Sequence, residues 1–164
     1  MPFRPLAADD IEAVVDIVVR CDALTADWAP PGWELPSGWR QSELGVWAQD
    51  LAEEGLWRDV ACDADGTIVG ASVATAGRAE PPVRGHLGSL SVEPGRQGGG
   101  IGGRLAARAE DWMRDQGCER ATLNVLAGAP ALGFYLAHGW ERDGRSGTYE
   151  AFGLPTLGLA KRLG

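Results

Sequence analysis

The chain has 164 residues, a length that suits one domain; its 45% hydrophobic and 23% charged residues are those of a folded globular protein and exclude wholesale disorder. With 23 acidic against 15 basic residues the formal charge is −8, which disfavours nucleic acid and anionic membrane surfaces as partners, since basic patches grip both. Cys21, Cys62 and Cys118 are scattered without a CxxC pair, and His86 and His138 are the only histidines, so neither a disulfide framework nor a metal site is expected.

At the N-terminus, Met1-Pro2-Phe3-Arg4-Pro5 carries no basic-then-apolar leader, and no later run reaches the ~18 apolar residues of a membrane span; a cytoplasmic location is the expectation. Residues 3–6 read as an edge strand, where Pro5 is tolerated. Asp9, with Glu12 three residues on, reads as a helix start; Ile11, Val14, Val15, Val18 and Val19 give the buried face, and the helix ends near Cys21. Residues 27–39 interleave Trp28, Trp33 and Trp39 with Pro30, Pro31, Gly32, Pro36 and Gly38, a composition that resists regular structure. Three indoles on such a segment either line a substrate pocket or plug the loop onto the core. A second helix fits 39–53, with Leu44, Trp47, Ala48 and Leu51 on one side.

Residues 57–62 and 67–76 are β-rich runs across Asp63-Ala64-Asp65-Gly66, a hairpin signal. After a loop with Pro81 and Pro82, a strand runs from about 86 to 92. A glycine-rich stretch then enters a helix over 102–116, with Leu105, Ala109, Trp112 and Met113 buried and Gly117 as the stop. Residues 120–126 read as a strand and 130–137 as a short helix opening on proline. The β-rich pieces 140–145, 148–152 and 156–163 close the chain. This order implies a single domain over 1–164, an α+β (mixed α/β) layer with helices covering a central sheet.

The unit at 86–116 carries the chemistry. Glycines let backbone amides approach a ligand, and a helix start adds unpaired N–H groups and a positive dipole end, for which phosphate is the natural guest. Gly98-Gly99-Gly100-Ile101-Gly102-Gly103 satisfies GxGxxG, but its feeding strand does not open a βαβ unit, and Thr122-Leu123-Asn124-Val125-Leu126 offers no acid for a ribose. No Gly-Lys-Ser/Thr occurs, which excludes the P-loop.

Val92-Glu93-Pro94-Gly95-Arg96-Gln97-Gly98-Gly99-Gly100-Ile101-Gly102 resembles the pyrophosphate signature Q/R-x-x-G-x-G/A of the GNAT N-acetyltransferase superfamily. Phe134-Tyr135 followed by Gly139-Trp140 resembles that family's F-Y-x-x-x-G-F segment, with Trp for Phe. Phe3 through Asp10 looks like its first strand and helix start, and 159–163 like its closing strand. The likeness is strongest over 86–144 and weak over 20–56. It departs from the family at Gly128, where Asn often stands seven residues before the Tyr.

The resemblance implies a mostly antiparallel twisted sheet with a splayed strand pair, helices on both faces, and a homodimer. It implies acetyl-CoA as donor and a primary amine of a small molecule as acceptor, attacked directly. A peptide or protein amine, or a module that binds acyl-CoA without turnover, is the alternative. By the same resemblance Leu90, Ser91 and Val92 pair with the pantetheine arm, and a backbone N–H, that of Val92 foremost, stabilises the oxyanion. Main-chain groups of Gln97, Gly98, Gly99, Gly100, Ile101, Gly102 and Gly103 hold the pyrophosphate, Arg96 or Arg104 neutralises it, and Asn124 and Phe134 complete the cofactor contacts. Trp28, Trp33 and Trp39 are assigned to the substrate pocket.

Spacing alone makes Tyr135 a core position; the resemblance makes it the general acid for the departing thiolate. His86 is the candidate base: it lies six residues before Val92, the even spacing places both on one sheet face, and its ordinary pKa near 6.5 suits the task. Glu34, Glu43 and Glu150 are further candidates for that role, while His138 reads as a helix-dipole contact.

Overall fold

The structure is a computed structural model that describes residues 2–49, 51, 53, 55–77 and 83–164. Its strands are β1 (Phe3–Pro5), β2 (Leu56–Cys62), β3 (Ile68–Ala76), β4 (Val83–Val92), β5 (Cys118–Leu126), β6 (Glu141–Tyr149) and β7 (Leu154–Arg162). They form one seven-stranded sheet in the order β1-β2-β3-β4-β5-β7-β6. Only β4 and β5 run parallel; the other neighbours are antiparallel.

Adjacent residues on a strand face opposite ways, and β2 uses both faces. Val60 packs with Val14, Val15, Val18 and Trp47 of α1 (Ile11–Ala23) and α2 (Trp39–Ala48). Ala61 packs with Ile101 and Leu105 of α3 (Ile101–Asp115). The largest core cluster joins Ala109 and Met113 of α3 and Tyr135 of α4 (Pro130–Ala137) to Leu87, Leu123 and Leu159 of the sheet. Helices thus cover both faces.

The parallel pair is short. β4 and β5 are in register from Val83↔Cys118 to His86↔Thr122 and then part. Beyond that rung β4 stays on β3 as far as Val92↔Gly70, and β5 stays on β7 as far as Leu126↔Thr156. Val73 pairs with Ser89 and Ala74 with Leu87, so Gly88 is an extra residue where the two strands separate. Such a bulge turns the alternation over by one. Leu87 and Val92 both reach cores shared with α3 although their spacing is odd, so His86 and Val92 do not share a face as even spacing predicted.

Other expectations shift locally. Asp10, not Asp9, organises the entry to α1: its Oδ2 accepts from the Ala7 N–H at 2.8 Å, and the Arg4 guanidinium clamps both oxygens at 2.6 and 2.9 Å. α1 runs past Cys21 to Ala23, which brings Asp22 onto the helix. α2 stops at Ala48, where Gln49 turns extended, rather than at 53; residues 50, 52 and 54 lie outside the described residues, as does the loop bearing Pro81 and Pro82. The pieces 140–145 and 148–152 form one strand instead of two. An irregularity between Arg142 and Ser146 absorbs the break, stabilised by Asp143 accepting from the Arg145 N–H at 3.0 Å, and Phe152 falls in the following turn.

Candidate active site

The gap between β4 and β5 opens on a cavity of about 700 Å³. Part of its wall is the start of α3. Gly98 and Gly100 have φ near +87°, a region costly for a side chain, and Gly100 caps the helix with no side-chain hydrogen bond. Backbone bonding of that turn begins with the Arg104 N–H on the Gly100 carbonyl at 3.1 Å, so the N–H groups of Ile101, Gly102 and Gly103 have no acceptor within the helix. Packing explains the glycines inside the helix: a Cβ on Gly102 would lie 3.4 Å from Phe134 Cζ, and one on Gly103 3.0 Å from His138 Nε2. α4 therefore lies across a helix start whose amides and dipole suit an anion. The donor set fits a diphosphate.

Of the two arginines considered for phosphate, Arg96 lines the cavity with its Nη1 held by Asp63 at 2.6 Å. Arg104 is exposed, is off the wall, and has no ion pair among the described residues. Gln97 Nε2 donates to the Val92 carbonyl at 3.1 Å, and the Cys21 thiol sits 3.1 Å from the same oxygen, so loop and helix both fasten the end of β4. Burial, aided by the charge of Asp22, pushes the Cys21 thiol up to about 11.

Tyr135 is 9% exposed, its ring edge-on to Phe134 at 5.2 Å and to Trp140 at 6.1 Å. It lines the cavity, and its hydroxyl has no hydrogen-bond partner among the described residues. Burial alone pushes the phenol above its ordinary value, so it keeps its proton at neutral pH.

The cavity wall gathers Leu90, Ser91, Val92, Gln97, Gly98, Gly100, Ile101, Gly102, Gly103, Phe134 and Tyr135 of the residues expected from sequence, together with Trp28. Gly99, Arg104 and Asn124 are off it. The Asn124 Oδ1 accepts instead from Arg145 Nη1 at 3.2 Å. His86 is off the wall too: half-buried at the last shared rung, its Nδ1 is 3.0 Å from Thr122 Oγ1, and burial and the charge of Arg145 hold its pKa below 6.5. Glu34 and Glu150 are exposed.

The three tryptophans divide their work. Trp28 presses its six-membered ring on Gly128, where a Cβ would lie 2.7 Å from Cε3. The indole thus takes the volume that a side chain at position 128 would need. Trp33 donates from Nε1 to the Phe152 carbonyl at 2.9 Å and stacks edge-on to that ring at 5.0 Å, while Trp39 meets Phe152 at 5.1 Å and Tyr149 at 6.3 Å. These two pin the irregular segment to the turn between β6 and β7, behind the cavity.

Asp22 is among the wall residues that the sequence reading did not assign to the site. Asp22 lines the cavity and accepts from Trp39 Nε1 at 2.8 Å. A signal was present: Val14, Val18 and position 22 follow one another at helical spacing, so a carboxylate continues the apolar stripe.

Known structures share this architecture. The PaiA N-acetyltransferase of Thermoplasma acidophilum, solved in complex with coenzyme A, aligns over 98% of both chains with a TM-score of 0.77 at 16% identity. A GCN5-related N-acetyltransferase from Kribbella flavida aligns over 99% of this chain and 97% of its own, with a TM-score of 0.73 at 18% identity. The fold is the one these N-acetyltransferases share. The acetyltransferase (GNAT) family model matches residues 21–140, and the chain belongs to that family. A relative in sequence is the aminoglycoside N(6')-acetyltransferase type 1 of Stenotrophomonas maltophilia, 32% identical over 126 residues that cover 66% of this chain and 82% of the relative.

Proposed function

We propose that this enzyme moves an acetyl group from acetyl-CoA to a primary amine of a small molecule, by direct attack of the amine on the thioester. The observation that carries the reading is one cavity lined both by an anion-binding helix start and by a protonated phenol with no hydrogen-bond partner among the described residues. Acetyl-CoA supplies the activated acyl group. The amides of Gly98 to Gly103 bind its diphosphate, and the open edge of Leu90 to Val92 pairs with the pantetheine amides as an added strand would. A backbone N–H there receives the developing oxyanion, a contribution worth about 10²–10³ in rate. Tyr135 delivers its proton to the departing sulfur. Holding amine and thioester together supplies most of the acceleration, since effective molarities reach about 10⁵–10⁸ M.

A small acceptor is supported by the aminoglycoside-modifying relative and by the cavity that Trp28 and Asp22 line. The test is free-thiol release from acetyl-CoA across a panel of aminoglycosides, polyamines, amino-acid amides and peptides, with binding followed by calorimetry. Thiol release with small amines is expected. Tight CoA binding with no release from any amine would overturn the proposal.

A further inference from the structure

Asp22 is an unusual residue for its place. It stands half-buried in the last turn of α1 with one carboxylate oxygen bonded to the Trp39 indole and, among the described residues, no ion pair. The nearby arginines are engaged elsewhere: Arg20 is held by Glu93 at 2.6 and 2.9 Å, and Arg40 by Asp16 at 2.7 Å. Glu43, one turn after Trp39 on the same side of α2, adds a second carboxylate whose charge and burial act with those of Asp22; among the described residues it too has no ion pair. Tyr149 closes the cluster from the end of β6 and shares its negative field with both acids. Trp39, Tyr149 and Phe152 back it with aromatic rings whose centroids lie 4.8 to 6.3 Å apart. Cys21 and Asp27 are the remaining titratable groups of the α1 end that line the cavity near it. Carboxylates without a counter-ion beside aromatic faces suit an ammonium group.

A second, independent observation points to a ligand in this space. Tyr135, 9% exposed, lines the same cavity as Asp22, and its hydroxyl has no hydrogen-bond partner among the described residues. We infer that Asp22 receives the ammonium of the acceptor amine and takes its first proton, which makes it a catalytic base in the cavity that the phenol also lines. The inference rests on the transferase reading and gives the acceptor a place. The nitrogen sheds two protons. The first passes to the Asp22 carboxylate and on to solvent, leaving a neutral amine. The amine lone pair then forms the N–C bond, the C–S bond breaks with its electrons on sulfur, and the sulfur takes the Tyr135 proton. The second nitrogen proton restores the phenol. The products are an N-acetyl amide, a free thiol and one proton released.

The experiment uses kanamycin and spermidine as probe amines, with thiol release followed against pH and amine binding followed separately by calorimetry. Asp22→Asn is expected to weaken amine binding about tenfold, to lower kcat/KM by about 10²–10⁴ and to erase its acid limb, with CoA affinity unchanged. Trp39→Phe removes the hydrogen bond that holds the Asp22 carboxyl down, so the acid limb should move to higher pH. A residue that only supports the fold would not shift a pH profile in this way. His86→Gln should leave the limb in place. Amine binding and a pH profile that survive Asp22→Asn within about threefold, a limb that follows His86, or a wild-type protein that binds neither amine would overturn the inference. Amine binding lost in Asp22→Asn, with no thiol release by the wild type, would keep the amine site and sink the transferase reading alone.

Discussion

Replacing Tyr135 by Phe separates chemistry from structure, because the atom removed makes no hydrogen bond among the described residues. The ring keeps its contacts with Phe134 and Trp140. No folded-state bond is lost, so stability should stay within about 0.5 kcal/mol, or about 1–2 °C in Tm for a chain of this size. Coenzyme A should bind as before, since the amides that hold its diphosphate lie at the start of α3. Turnover should fall about 10²–10⁴-fold, equivalent to about 3–5 kcal/mol of transition-state stabilisation, as a positioned proton donor is removed. The assay is thiol release at saturating acetyl-CoA, with Tm and CoA affinity measured on the same preparation. Turnover within about threefold of wild type would refute the assignment. So would a loss of activity matched by a fall of about 10 °C in Tm, which would mark a structural defect.

Three further outcomes test the frame around the site. Arg108→Met removes the partner, at 2.6 Å, of the 2%-exposed Asp59 side chain; because Arg108 itself is nearly half exposed, the loss should be about 1–3 kcal/mol in urea unfolding, partly recovered by adding Asp59→Asn. Asp10 is held below its ordinary value of 3.8, first by the Arg4 hydrogen bond, so its stabilising contribution is present above that value and lost as pH falls through the lowered one; Arg4→Gln should flatten this acid limb of Tm against pH. Gly128→Asn should cost about 1–3 kcal/mol by driving a side chain into the Trp28 ring, and Trp28→Ala in the same chain should recover most of it, measured as Tm in a double-mutant cycle.

Local patterns made the cofactor end readable. The run 97–103 encodes its own conformation, since Gly98 and Gly100 occupy backbone regions that disfavour side chains, and helical spacing placed Leu105, Ala109 and Met113 on the buried face of α3. Tyr135 needed its neighbours Phe134, Gly139 and Trp140 to be told from a core residue. The acceptor end is written in long-range contacts instead. Trp39 reaches Asp22 across 17 positions, and Trp33 reaches Phe152 across 119, separations that no periodicity encodes. The face of His86 was missed for a subtler reason: a single extra residue at Gly88 inverts the alternation of β4, and glycine is equally at home in a regular strand edge and in a bulge.

The sheet resembles a tuning fork. Its handle is the short run from Val83 to His86 against Cys118 to Thr122, and its tines are the ends of β4 and β5, each paired within the sheet along its outer side alone. A guest that hydrogen-bonds both tines becomes a rung between two halves of the molecule. Whatever stiffens or loosens the handle therefore sets how far apart the tines rest, and so how much of the work of gripping the donor has been done before it arrives.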